Sequence, residues 1–136
     1  MDGRILVTGG LGFLGSAFSR RALSRGASVL IVDVGTYAAD PRRLSEVSAA
    51  NRRTISLDVA DPAFVDLVRR ERPAMLVHFA AETHVTRGER SAERFFRFNV
   101  EGTRRMLEAA EAAGVQLVVH VSTDEVYGPC LGRPFR

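Results

Sequence analysis

The run Ile5-Leu6-Val7 is followed at once by Thr8-Gly9-Gly10-Leu11-Gly12-Phe13-Leu14-Gly15, and then by a segment in which Leu14, Phe18 and Ala22 recur every four residues up to Gly26. A strand of that apolar character, a glycine-rich turn and a helix in immediate succession leave few architectures open. Glycine at position 9 permits a tight turn, at position 12 it lets backbone approach a pyrophosphate with no Cβ in the way, and at position 15 it allows close packing of the helix on the sheet. The helix N-terminus then faces an anion. Glycine-rich turns also serve as plain connections, so the reading depends on what surrounds this one.

The rest of the chain repeats the alternation. Ser28 to Asp33 forms a second expected strand, and Thr54 to Asp58 a third. Ala74 to Phe79 and Gln116 to Ser122 form the fourth and fifth. Between the second and third lies a polar stretch broken by Pro41, with at most a short helix over 43–49. Asp61-Pro62 is a helix start, because the carboxylate accepts from orphan amides and proline has no amide to lose; that helix ends at Pro73. A long helix is expected over 92–113, with Phe96, Val100, Thr103, Leu107 and Ala110 on one face and Gly114 closing it. Strands alternating with helices imply an α/β fold with a parallel sheet.

Asp33 ends the second strand 18 residues past Gly15, where an acid can bind the adenosine ribose hydroxyls of a dinucleotide and repel a 2′-phosphate. NAD is favoured over NADP on this ground, with Arg42 and Arg43 nearby as the opposing signal. Capping of a turn is the competing role for Asp33. Asp58 ends the third strand, within reach of an adenine edge, or is an ordinary strand-end aspartate.

Composition narrows the class. The 136 residues are 46% apolar and 26% charged, with no apolar tract near the ~20 residues of a membrane-spanning helix, so one soluble domain with a filled core is expected. All 19 basic residues are arginine, and the net charge is +3. The arginines fall in scattered pairs rather than a stripe, which argues against nucleic acid as a partner. A single cysteine, Cys130, allows no internal disulfide and fits a reducing cytoplasm; no basic-then-apolar leader follows Met1. His78, His84 and His120 share no ligand spacing, so no metal is expected. Gly102 within a helix implies a close helix approach. Leu117 to Val121 is apolar on both faces, as central strands are, yet the 14 residues after Ser122 are rich in Gly, Pro and Arg and offer no partner strand. The sequence therefore reads as the front part of a larger domain.

These residues together resemble a known family. Val7 to Ser16, Asp33 with Thr36-Tyr37-Ala38, His78 to Val85, Asn99-Val100-Glu101-Gly102-Thr103 and His120-Val121-Ser122-Thr123-Asp124-Glu125-Val126-Tyr127-Gly128 are similar to the extended short-chain dehydrogenase/reductases, and within them to the dTDP-glucose 4,6-dehydratases. The resemblance spans the whole chain. It implies a Rossmann-like doubly wound parallel sheet with five strands in the order 3-2-1-4-5, stopping before the later strands, so that residues 1–136 are the NAD-binding part and the substrate-binding part is absent. It implies NAD held by Gly9, Gly12, Phe13, Leu14, Gly15, Asp33, Thr36, Tyr37, Asp58, Val59, Phe79, Ala80 and Ala81. A nucleotide sugar would be met by Thr83 and Thr123, with Glu125 as base and Asp124 as acid for loss of water, since two carboxyl groups with separated pKa values can supply both roles. A solvated acidic turn is the competing reading of Asp124-Glu125, and a nucleotide-sugar epimerase or a non-catalytic NAD-binding fragment the competing functions. The family's Tyr-x-x-x-Lys pair cannot occur here, because the sequence has no lysine. Phe98 stands where the family has a small polar residue. The helix 92–113 helps form a homodimer in the family, a role that Phe95 and Met106 could serve; burial within one chain is the alternative.

Overall fold

The computed structural model describes residues 3–83, 92–128 and 132, with only the backbone of Asp124 and Glu125. His84 and Cys130 lie outside the described residues.

Five short stretches pair into one sheet, four of them apolar with branched side chains on both faces and the fifth, at one edge, polar. β1 (Ile5–Thr8), β2 (Val29–Asp33) and β4 (Met75–His78) are almost wholly buried, while β3 (Arg52–Ser56) and β5 (Leu117–His120) flank them. All pairings are parallel, as the alternation of strands and helices implied, in the order β3-β2-β1-β4-β5 that the family resemblance implied. Leu6 sits opposite both Leu30 and Leu76, so one layer of side chains runs through the centre of the sheet. Alternation along the strands divides the core in two. Leu6, Leu30, Val32 and Leu76 point to the face covered by α2 (Ala63–Glu71) and α4 (Gly102–Ala113), where they meet Phe64, Leu67, Met106 and Ala109. Val7, Val29 and Ile31 point to the other face, beneath α1 (Phe13–Ser24), with Leu11, Phe18 and Leu44. Helices on both faces of a parallel sheet make the doubly wound arrangement.

Local chemistry sets the ends of the helices. Asp61 Oδ1 accepts from Ala63 N–H at 2.8 Å, and α2 closes on Arg72 in the left-handed region (φ 44°) just before Pro73. Between β2 and β3 the expected helix over 43–49 is instead a 3₁₀ turn, Pro41–Leu44. It starts earlier because Asp40 caps it, accepting from Arg42 N–H at 3.0 Å, and Pro41 fits the first position. β3 runs two residues earlier than its own apolar pattern suggested, since its register is set by pairing Val29 with Arg52 through Asp33 with Ser56.

The expected helix over 92–113 is three pieces. α3 (Ala92–Phe96) leads into a π-helical turn, Arg97–Glu101, and then α4. The wider turn shifts the helical phase, and the expected apolar face breaks up: Ala110 is in the core, but Phe96, Val100 and Leu107 are about half exposed. Met106 is fully buried against the sheet, so it belongs to the core and to no dimer face. Phe95 is half-buried. Gly102 does not mark a close approach either, because a Cβ there would meet only Arg97 O, at an ordinary 3.6 Å.

Candidate dinucleotide site

The crevice opens where the chain, after laying β2 and β3 on one side of β1, crosses to lay β4 on the other. Its floor is the glycine turn. Gly9 has φ +65°, and a Cβ on it would stand 2.7 Å from Ala80 N and 2.8 Å from Phe79 C, both backbone atoms that cannot yield. A Cβ on Gly15 would collide with the Gly9 carbonyl, so this glycine lets α1 close on the turn itself rather than on the strands. Gly12 differs. Its nearest obstacle is Gly9 O at 3.2 Å, and it lines the cleft, so the space that a side chain would fill is left to whatever enters. The first turn of α1 has neither a side-chain cap nor an acidic residue, which leaves its N–H groups for an outside acceptor. Such a cradle fits a pyrophosphate.

The cleft is a crevice partly open to solvent rather than an enclosed cavity. Gly9, Gly12, Asp33, Thr36, Tyr37, Asp58, Val59, Phe79, Ala80, Ala81 and Thr83 all line it, although they come from four separate loops. Phe13 and Leu14 stand largely exposed outside its wall, and only their backbone at the start of α1 is directed by the turn.

Asp33 is buried and serves the turn directly: Oδ2 accepts from Leu11 N–H at 3.0 Å and Oδ1 from Gly35 N–H at 2.9 Å. Capping and ligand binding are thus compatible, because each carboxylate oxygen retains acceptor capacity toward the cleft that Asp33 lines. The two nearby arginines are turned to other work. Arg42 pairs with Asp40 at 2.9 Å, and Arg43 donates to the carbonyls of Leu11 (2.9 Å) and Ala38 (2.8 Å), tying the turn to the β2 loop. Asp58 accepts from Ala60 N–H through Oδ1 and holds Arg97 through Oδ2, at 2.9 Å to Nε and 2.8 Å to the guanidinium end.

Within the sheet, at the end of β4 between β1 and β5, His78 is buried. Its Nδ1 lies 2.7 Å from Thr8 Oγ1 and its Nε2 3.4 Å from Thr103 Oγ1, and its ring stacks on His120 at 5.2 Å. Burial, with a smaller contribution from the charge of His120, pushes the His78 pKa down to about 4. The ring is therefore neutral and packed at neutral pH. Among the described residues no group of three or more His, Cys, Asp or Glu could hold a metal, and no helix is long and apolar enough to cross a membrane.

Sequence reasoning named Tyr37 but missed Glu82 as a member of the site, along with Arg94. Glu82 is buried, its side chain meeting Tyr37 Oη at 2.7 Å and Arg94 at 3.4 Å, and its backbone exchanging two hydrogen bonds with the Asn99 amide. Phe98, noted only as a departure from the family pattern, lines the cleft beneath the Arg94 guanidinium, which stands 5.4 Å from its ring. Asn99 lay within a quoted motif, but its role, holding the loop after β4, had no local signal.

Beyond β5, Val121 N–H still bonds to His78 O at 3.1 Å, and Thr123 is exposed on the loop that follows. Asp124 and Glu125 begin the 3₁₀ turn Asp124–Tyr127; their side chains lie outside the described ones.

Comparison with known proteins agrees with this geometry. The family model described as the NAD dependent epimerase/dehydratase family matches residues 5–136. A dTDP-glucose 4,6-dehydratase from Streptomyces niveus is 45% identical over 132 residues, covering 92% of this chain and 39% of its own length. The dTDP-glucose 4,6-dehydratase of Mycolicibacterium smegmatis is likewise 45% identical over 127 residues, with 92% and 38% covered. Among solved structures, the dTDP-glucose 4,6-dehydratase DesIV from Streptomyces venezuelae, determined with NAD bound, superposes with a TM-score of 0.83 at 42% identity over 97% of this chain and 43% of that one. A UDP-glucose-4-epimerase from Stenotrophomonas maltophila, also with NAD bound, reaches 0.84 at 28% identity over 98% and 41%. The chain thus spans about two-fifths of the length of the curated relatives it matches.

Proposed function

Because the chain belongs to the NAD dependent epimerase/dehydratase family, we propose that it is the cofactor-binding part of an NAD-dependent nucleotide-sugar 4,6-dehydratase acting on a substrate of the dTDP-glucose type, in the cytoplasm. The observation that carries this reading is the sequence Thr123-Asp124-Glu125 shortly after β5, in a chain whose cleft is lined by the glycine turn and Asp33. A cleft lined by the glycine turn, an uncapped helix start and a buried carboxylate at the end of β2 support NAD; the engagement of Arg42 and Arg43 elsewhere supports NAD over NADP.

NAD⁺, when bound, supplies the acceptor for hydride from C4 of the sugar and returns that hydride to C6. The chain's own residues do the rest. Thr83, in the cleft wall, and Thr123 hydrogen-bond the sugar, Thr123 near O4. Glu125 removes the C5 proton, which is acidic only beside a C4 ketone, while Asp124 protonates the departing C6 hydroxyl. Water is thereby lost across C5 and C6. Proton removal from the C4 hydroxyl needs a Tyr-x-x-x-Lys pair that these 136 residues do not contain. An epimerase remains the second reading, because structural neighbours at comparable TM-scores include epimerases; the acidic pair favours the dehydratase.

The test uses this segment joined to a dehydratase C-terminal half that carries the tyrosine and lysine. With dTDP-glucose, Glu125→Gln should accumulate the absorbance of reduced cofactor in a stopped-flow trace and then stall, losing about 10² to 10⁴-fold in turnover. Asp124→Asn should stall likewise, whereas Thr123→Val should slow the first hydride step. Product release at the parent rate from Glu125→Gln would refute the assignment, and 4-epimer as the parent's product would establish the second reading.

A further inference from the structure

Glu82 is the buried charge for which the chemistry above has no use. It is 6% exposed, and a carboxylate so placed requires compensation. The Tyr37 hydroxyl donates to Oε1 at 2.7 Å, and Arg94 stands 3.4 Å from Oε2. Neither contact is needed to hold the loop after β4, because the Asn99 amide already fixes that loop through Glu82 N–H (2.8 Å) and Glu82 O (2.9 Å). The side chain instead reaches out of its loop to the one that follows β2. In the sheet β1 lies between β2 and β4, so a bond between those two loops spans the glycine turn that follows β1. Gly9, Gly12, Tyr37 and Glu82 all line the same cleft.

We propose that Glu82 and Tyr37 form a strap across the mouth of the dinucleotide cleft, with Glu82 as a positioning residue that holds Tyr37 over the glycine turn, so that a bound cofactor leaves only when this bond parts. The inference rests on the cofactor reading above. It suits an enzyme that regenerates its cofactor in every turnover and gains nothing from exchanging it. Arg94 orients the anchor through its ion pair, and Phe98 beneath the Arg94 guanidinium limits its swing. A hydroxyl donating to a carboxylate is among the stronger hydrogen bonds, so its loss is expected in the dissociation rate rather than in encounter.

NADH release from the 136-residue chain, followed by stopped-flow fluorescence on mixing with excess NAD⁺, tests this. Tyr37→Phe, which removes one hydroxyl from a half-exposed ring, should release NADH about tenfold faster with an association rate within about twofold of the parent. Glu82→Gln should also speed release, and adding Tyr37→Phe to it should have less effect than in the parent, as for two groups joined by one bond. Unchanged release from Tyr37→Phe overturns the strap. Slower release or tighter binding also overturns it, because the bond would then compete with the cofactor. Absence of NADH binding to the parent chain overturns the cofactor reading and the strap together, and so is distinguishable from failure of the strap alone.

Discussion

On the β3 flank the outermost described strand carries Arg52, Arg53 and Thr54, and Arg53 reaches the nearly buried Glu71 of α2 at 2.5 Å; on the β5 flank Leu117, Val119 and Val121 stand 45%, 37% and 39% exposed. The first is built as an edge: charged side chains and an ion-paired partner make further strand addition unfavourable. The second presents branched apolar residues to solvent where nothing among the described residues covers them. The same asymmetry runs through the function. On the β2 and β3 side every expected cofactor residue has its place fixed by contacts within the chain, down to Asp33 on two backbone amides. On the β5 side the proposed chemistry rests on Thr123, Asp124 and Glu125, which follow an exposed strand. The cofactor cleft is thus held by self-sufficient packing, whereas the proposed reaction draws on residues beyond an exposed strand.

The largest expected effect attacks the self-sufficient side. Gly9→Ala places a Cβ against the backbone at Phe79 and Ala80 and holds alanine at positive φ, for a loss of about 3 kcal/mol or more in stability and of dinucleotide binding by calorimetry. Retained binding with unchanged stability would show that the turn does not depend on the β4 loop.

Nearly as large is an effect of pH at the boundary between the two sides. The His78 pKa is about 4 in the folded chain against about 6.5 unfolded, so below 6.5 the unfolded chain takes a proton that the folded one refuses. Stability is therefore fully present above pH 6.5 and falls by about 3 kcal/mol as pH drops toward 4. Urea unfolding across that range should show the loss, and His78→Gln should flatten it. Glu71 acts lower in pH: its arginine partners hold its pKa below the usual carboxylate value despite burial, and the stability this gives is lost only as pH falls below about 4.5.

The smallest effect on folding sharpens the contrast between flanks. Leu117→Thr with Val119→Thr should change stability by about 0.5 kcal/mol or less while removing concentration-dependent association in sedimentation. Arg53→Val on the opposite flank should increase it. Association that ignores β5 but responds to β3 would reverse the comparison.

How far the sequence could be read follows the same division. Central strands were legible because Leu6, Ile31 and Val77 need no partner to declare themselves buried, and the glycine turn because its chemistry is local. β3 was misplaced by two residues because its position depends on pairing with β2 rather than on its own side chains. The face of the helix after β4 was misread because one π turn at Arg97–Glu101 shifts the phase, and Met106 moved from a candidate surface to the core. Glu82 and Arg97 escaped notice because their partners, Tyr37 and Asp58, lie 45 and 39 residues away, and no periodicity reports a bond across that distance.

That this chain carries a site for NAD is tested most directly by calorimetric titration of the 136-residue chain with NAD⁺ and NADP⁺, repeated for Asp33→Asn. The variant keeps an acceptor for the turn but loses the charge facing a 2′-phosphate. The expected result is a clear preference of the parent chain for NAD⁺, shrinking about tenfold in Asp33→Asn. Equal affinity of the parent for both dinucleotides, or no heat with either, would contradict it.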